Sequence, residues 1–370
     1  MKKHVCFFLN AINFGGSEQY LYSLADDLNK KGFDISFVSS GGKMSDRLKE
    51  KGFNIVKLPI CYISEHTIKK HSWKHRCILR SWFFLKFFYR LYLYLKVEKV
   101  DFVVSQHGFP SIIASDYSRR NSCKFLNIVH HILPNEYTDL YKFYKVTPDM
   151  YICISPEIKT FLNEKKQISN SIVINNPIAI PELKSELSKS KFITLLSHVH
   201  LEKENSLNTF LKASNDPLLS NYRFRVVGDC STDFAKCLVN NYPEVIFTGA
   251  VDRMSALSYV QNSDVIVGVG RSAIESAMLG KKTIICGHII GELGGNYGGI
   301  LTKENYNVVY GHNFSGRHSH TESNSELLIK DIVNCLSNNM KFNPPPLEYF
   351  DSYHPESVLK SYLNLFDVLS

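Results

Sequence analysis

Asp264-Val265-Ile266-Val267-Gly268-Val269-Gly270-Arg271-Ser272-Ala273-Ile274-Glu275-Ser276-Ala277-Met278-Leu279-Gly280-Lys281-Lys282-Thr283-Ile284 reads as a strand, a glycine-punctuated turn and a helix, running into a second strand. A strand is predicted at 264–268, apolar from Val265 on, helical spacing follows over 272–279, and a second strand is predicted at 282–287 around Ile284, Ile285 and Cys286. A strand–helix–strand unit is how a chain lays strands in parallel. Reading outward towards the N-terminus, the same alternation recurs: strands at 191–197, 222–228 and 244–248, with helices at 205–214, 231–241 and 253–262. A further helix fits 324–338. In the first half, strands are predicted at 4–9, 34–39, 54–58, 101–105, 124–129 and 149–154. The clearest helix there, 17–31, carries Tyr20, Leu21, Leu24, Ala25 and Leu28 at helical spacing and closes on Lys30, Lys31 and Gly32. The strands are continuous apolar runs rather than alternating ones, which is the pattern of a parallel sheet covered on both faces. The fold class is therefore α/β, in two doubly wound halves.

The stretch 175–190, with Asn175-Asn176-Pro177 followed by Lys, Ser and Glu, has little apolar content and separates the halves. The expected organisation is an N-terminal domain over 1–176, a linker over 177–190 and a second domain over 191–343. A C-terminal helical tail over 344–370 follows Pro344-Pro345-Pro346, its helix at about 355–369. The 370 residues suit two domains of roughly 150 each. With 44% hydrophobic and 21% charged residues, a substantial core is available and wholesale disorder is excluded. Nine cysteines without a Cys-x-x-Cys pair argue against a disulfide scaffold or a zinc ribbon, and suit a reducing cytoplasm. No run reaches the roughly 18–20 apolar residues that span a bilayer. Lys2 and Lys3 before the short run 5–9 mark a first strand, not a signal peptide.

Net charge locates a second feature. The chain carries +8, and residues 66–99 alone hold nine Lys or Arg against the single acid Glu98, so they account for all of it. Arg76, Arg80, Lys86 and Arg90 share one helical face, while Trp82, Phe84, Leu85, Phe88, Leu91, Tyr92, Leu93 and Leu95 fill most of the rest. Two readings are open: a helix at an acidic membrane surface, or a helix of the first domain with a solvated basic side. No nucleic-acid module is present, so nucleic acid is not an expected partner.

Glycines and charges mark the candidate site. After strand 4–9, Gly15 and Gly16 allow close backbone approach and Ser17 opens a helix whose N-terminus favours an anion, or Ser17 simply caps a tight turn. The dinucleotide fingerprint Gly-x-Gly-x-x-Gly is absent. In the second half, Ser272 and Glu275 form a Ser-x-x-Glu capping box, or Glu275 presents a carboxylate to a ribose diol. Arg271 suits a phosphate through its forked donors. The loop 291–299 holds five glycines and is either a flap or an exposed turn.

Taken in order, Gly15-Gly16-Ser17-Glu18, His130 after strand 124–129, Cys153-Ile154-Ser155-Pro156, Asn176-Pro177, Glu202-Lys203, Val227-Gly228-Asp229 and Glu275-Ser276-Ala277-Met278-Leu279-Gly280 resemble the family 4 glycosyltransferases. The resemblance covers about residues 4–340. It implies the GT-B fold, with two Rossmann-like domains facing across a cleft. It also implies transfer of a sugar from a nucleotide-sugar donor to a glycan or lipid-linked acceptor, with retention and without a metal. The expected setting is bacterial surface polysaccharide assembly, such as lipopolysaccharide, in the cytoplasm or at the inner face of the membrane. By the same resemblance Gly16 lies near the donor diphosphate, His130 by the reacting sugar, Lys203 on the diphosphate and Glu275 on the ribose. His130 or His131 as an ordinary loop histidine, and Lys203 as a solvated helix start, are the competing readings. The pattern departs at His198, where the family carries Arg, and at Val267, where it carries a first Glu. Arg271, with Ser272 beside it, is expected to supply the missing charge. No Asp-x-Asp pair occurs, no cofactor beyond the donor substrate is expected, and no residue is singled out for the acceptor. An epimerase or hydrolase of nucleotide sugars on the same fold, or a non-catalytic nucleotide-sugar-binding assembly protein, are the alternative functions.

Overall fold

The computed structural model describes residues 2–12, 16–58, 92–93, 97, 99–106, 108–132, 139, 141–181, 191–287, 295–337 and 342–370, without the side chains of 16–18. Gly15 and most of the basic segment 66–99 lie outside the described residues, as do 182–190 of the expected linker and 291–294 of the glycine loop. The chain forms two compact units. One comprises Met1–Ile154, Ile158–Pro177 and Pro355–Ser370; the other comprises Ser155–Glu157 and Ile178–His354.

The first unit contains β1 (His4–Phe8), α1 (Gly16–Lys30), β2 (Asp34–Ser39), α2 (Ser45–Glu50), β3 (Asn54–Lys57) and β4 (Phe102–Gln106). It continues with α3 (Phe109–Asn121), β5 (Lys124–Val129), β6 (Met150–Cys153), α4 (Pro156–Lys166) and β7 (Ser171–Val173). The strands pair in parallel in the order β3-β2-β1-β4-β5-β6-β7. β4 is buried at every residue and β5 at all but its first, as continuous apolar runs demand. Successive side chains serve opposite cores. Cys6 and Phe8 join Val103, Phe125, Ile112 and Leu162 on one face. Val5 and Phe7 join Phe37, Val104, Leu21 and Leu24 on the other.

The second unit contains β8 (Phe192–Leu196), α5 (Glu204–Ala213), β9 (Arg223–Val227), α6 (Asp233–Asn241), β10 (Ile246–Phe247), α7 (Arg253–Gln261) and β11 (Val265–Gly268). Then come α8 (Arg271–Met278), β12 (Lys282–Cys286), β13 (Tyr297–Ile300), α9 (Tyr306–Gly311) and α10 (Ser325–Leu336). The order β10-β9-β8-β11-β12-β13 repeats the first sheet's plan, with β13 antiparallel to β12. β13 was not expected: in Tyr297-Gly298-Gly299-Ile300 two glycines erase the apolar pattern by which a strand is read. So the described end of the glycine loop is a strand, not a turn.

The last helix, α11 (Pro355–Leu369), belongs to the first unit. The expected tail 344–370 is thus divided, since the short helix Leu347–Tyr353 stays with the second unit. The reason is burial. Val358, Tyr362, Leu365 and Phe366 enter the same core as Leu21 and Phe37, and Phe366 stacks on Phe102 with ring centroids 4.3 Å apart.

Candidate functional site

In an open parallel sheet, ligands bind beyond the carboxyl ends of the strands, where neighbouring strands send their connections in opposite directions. In the second unit that point falls between β8 and β11. From β8 the chain turns back through α5 towards β9; from β11 it turns the other way through α8 towards β12. The loops leaving these two strands, with the helices they open, carry His198, Lys203, Arg271, Ser272 and Glu275. The sequence had singled out all five, and the fold brings them to one end of one sheet.

The β8 loop is fixed by backbone. Ser197 N donates to Val227 O at 3.1 Å and Val199 N to Asp229 O at 2.9 Å, which splices the loop to the end of β9. Gly228 makes this possible: a Cβ there would lie 2.3 Å from the carbonyl oxygen of Ser197. The splice aims Asp229 N–H at His198 Nδ1, 3.3 Å away. His198 Nδ1 is therefore the acceptor, which leaves Nε2–H of this exposed ring as a donor. His200 Nδ1 accepts from Glu202 N and caps the one-turn helix Leu201–Lys203. Lys203 then sits at the start of α5, half-buried, and burial lowers the pKa of its ammonium; the exposed Glu202 offsets only part of that penalty.

The β11 loop differs from expectation in one respect. The Ser272–Glu275 capping box does not form. The helix begins at Arg271, so the cap position falls on Gly270, which has no side chain to offer, and Ser272 lies inside the first turn. Glu275, only 8% exposed, turns instead to arginines. Its Oε1 accepts from Arg271 Nε at 2.9 Å and from Arg253 Nη2 at 3.0 Å. Arg253 Nη2 also donates to Ala179 O at 2.7 Å.

Sequence reasoning missed Arg253, yet a signal was present. Arg253 and Arg271 each open a helix, where the helix dipole favours anions and disfavours cations. Two cations at helix N-termini call for a compensating anion, and in the structure both meet Glu275.

The remaining candidates belong to the first unit. Gly16 is the first residue of α1. His130 follows β5 directly, with Nε2 buried and its ring edge-on to Tyr20, centroids 5.6 Å apart. Tyr20 in turn bonds its hydroxyl to that of Tyr362 on α11. Burial, aided by His131, pushes the His130 imidazole down to a pKa of about 3, so it is neutral near pH 7.

Residues 14–180 match the family model described as Glycosyltransferase Family 4. A protein of Haemophilus influenzae described as an uncharacterized glycosyltransferase is 26% identical over 227 residues. The match covers 57% of this chain and 57% of that protein, so the chain spans little more than half of its relative's length. Among solved structures, Anabaena Alr3699/HepE in complex with UDP is similar with a TM-score of 0.67 and 14% identity, all of both chains being covered. A glycosyltransferase from Rickettsia africae gives 0.64 at 17% identity, over 99% of this chain and 98% of that one. The family model thus matches residues 14–180 of the span over which the motifs resemble family 4, and the solved structures show the GT-B fold.

Proposed function

We propose that this chain, with a family 4 glycosyltransferase match in its first unit and the GT-B plan in both, moves a sugar from a nucleotide-sugar donor to a glycan or lipid-linked acceptor. One observation carries the reading: a nearly buried carboxylate, Glu275, is held by two arginines at the switch point of the second sheet, with the half-buried cation Lys203 on the neighbouring loop. A nucleoside diphosphate has the matching parts, a pentose diol to donate hydrogen bonds to a carboxylate and a diphosphate to meet cations. That the Anabaena structure holds UDP supports the same donor class here.

The chemistry follows from where charge develops. As the glycosidic bond breaks, negative charge gathers on the leaving diphosphate. Lys203, the Nη groups of Arg271 and the Nε2–H of His198 are the donors for it, and one such donor is typically worth about 3 kcal/mol of barrier. Arg271 binds Glu275 through Nε, so its forked end stays available. This set stabilises the leaving group without a metal. We read the reaction as retaining, from the family resemblance, with the neutral His130 of the first unit beside the reacting sugar. Surface polysaccharide assembly is the setting we propose. Membrane attachment through 66–99 would be tested by flotation with acidic liposomes at low salt, where absence of binding rules it out.

The test of function is twofold. A panel of nucleoside diphosphates and nucleotide sugars is screened by thermal stability; a true ligand at 100 times its Kd adds about 2.7 kcal/mol. Donor consumption is then followed with and without glycan acceptors. Consumption that requires an acceptor supports the transferase; consumption without one marks an epimerase or hydrolase; binding without consumption marks an assembly protein.

A further inference from the structure

We propose that Arg253 is a positioning residue for the pentose site, acting through Glu275; the inference rests on the functional reading above. Arg253 lies 18 residues before Arg271, yet its guanidinium joins the main chain at Ala179 to the Glu275 carboxylate. Nη2 donates to the backbone oxygen of Ala179 at 2.7 Å and to Glu275 Oε1 at 3.0 Å. The Ala179 bond fixes the guanidinium to the main chain, and the Glu275 bond passes that position on to the carboxylate. Arg271 reaches the same Oε1 from one turn away on α8.

The consequence is a division of labour between the carboxylate oxygens. A carboxylate has about four acceptor directions, two on each oxygen. Oε1 accepts from two guanidinium groups, and these fill its directions. Oε2 is left to meet a vicinal diol. Arg253 thereby sets the rotation of the carboxyl plane and decides whether a diol meets one lone pair or two. Capping cannot explain the arrangement, since Arg253 opens α7, where Asp252 already caps Ser255 N through Oδ1 at 3.0 Å. The guanidinium is about half-exposed, whereas the Glu275 side chain is 10% exposed. A bond from a half-exposed, main-chain-tethered arginine to a nearly buried acid is a means of orientation more than of anchoring a core.

The test separates orientation from structural support by varying the ligand as well as the protein. UDP and 2′,3′-dideoxy-UDP are titrated calorimetrically against wild type, Glu275→Gln, Arg253→Met and Arg253→Lys, each checked for a cooperative melt. Wild type is expected to prefer UDP by about tenfold or more, as hydrogen bonds to a charged group imply. Arg253→Met is expected to cut that preference to below threefold while its affinity for the dideoxy compound stays within about twofold of wild type. Arg253→Lys, which keeps the charge and a single donor nitrogen but loses the planar guanidinium, is expected to lie between them. If Arg253→Met fails to fold, Arg253→Lys is read by the same criterion of a reduced preference. A folded Arg253 variant that keeps the full wild-type preference, where Glu275→Gln has lost it, overturns the proposal and leaves the ribose site standing. Equal affinity of wild type for the two ligands overturns the ribose site and this proposal together.

Discussion

Lys203 is the residue whose environment says most about ligand binding. Its ammonium carries a desolvation penalty that its neighbours do not repay in the ligand-free protein. Removing a penalised charge is neutral or stabilising, whereas removing a partner of a bound diphosphate is costly. Lys203→Met is therefore expected to melt at or above the wild-type temperature and to bind the nucleoside diphosphate at least tenfold more weakly; a variant that melts lower and binds normally would assign Lys203 to structure. His130 makes a prediction in pH. Its folded pKa of about 3 lies below the ordinary histidine value of 6.5, so the unfolded chain takes up a proton first as pH falls. The stability it contributes is complete above about pH 6.5 and is lost progressively from there towards pH 3. His130→Gln is expected to flatten that limb of the stability–pH curve, and an unchanged limb means that His130 is protonated more easily than its burial implies. At this scale the sequence showed which residues bear charge but not which ones meet. Ser272 and Glu275 have the spacing of a capping box, and only the placement of Arg253 and Arg271 decides that the carboxylate faces arginines instead.

Elements were legible wherever side chains alternate burial with spacing. The strand 124–129 of the sequence reading is β5 to the residue, and 34–39 is β2. β13 was lost because two of its four residues are glycines, and β7 because a three-residue edge strand is too short to show a period. The helix at the C-terminus was visible, but its partner was not: periodicity reports that a face is apolar, not which core receives it. That partner is the first sheet. Tyr362 and Phe366 are fully buried there, and Phe366 stacks on Phe102 of β4. Phe366→Ala is expected to cost about 3–5 kcal/mol, the usual range for emptying a buried phenylalanine site. Chemical denaturation with a probe in the first unit checks it. A loss below about 1 kcal/mol would mean that α11 is peripheral to that unit.

For the molecule as a whole, the repeated strand order is the strongest result. Both sheets run outward from their first strand on one side and from their fourth on the other, so each has a switch point, and the two differ in what surrounds it. The second unit's point has arginines, a lysine and a nearly buried acid; in the first unit the neutral His130 follows β5, one strand beyond that sheet's point. We read this second point as the donor side. The sequence showed which charged residues lie at strand ends, because motifs there are local. It did not show that residues 355–370 return to the first unit, which depends on contacts between segments hundreds of residues apart. We propose that Glu275 and the cations around it form a nucleoside-diphosphate site. It is tested most directly by calorimetric titration of wild type and Glu275→Ala with whichever of UDP, GDP and ADP binds wild type best. The expected result is saturable one-to-one binding by wild type and at least tenfold weaker binding by the variant; equal affinities would contradict the account.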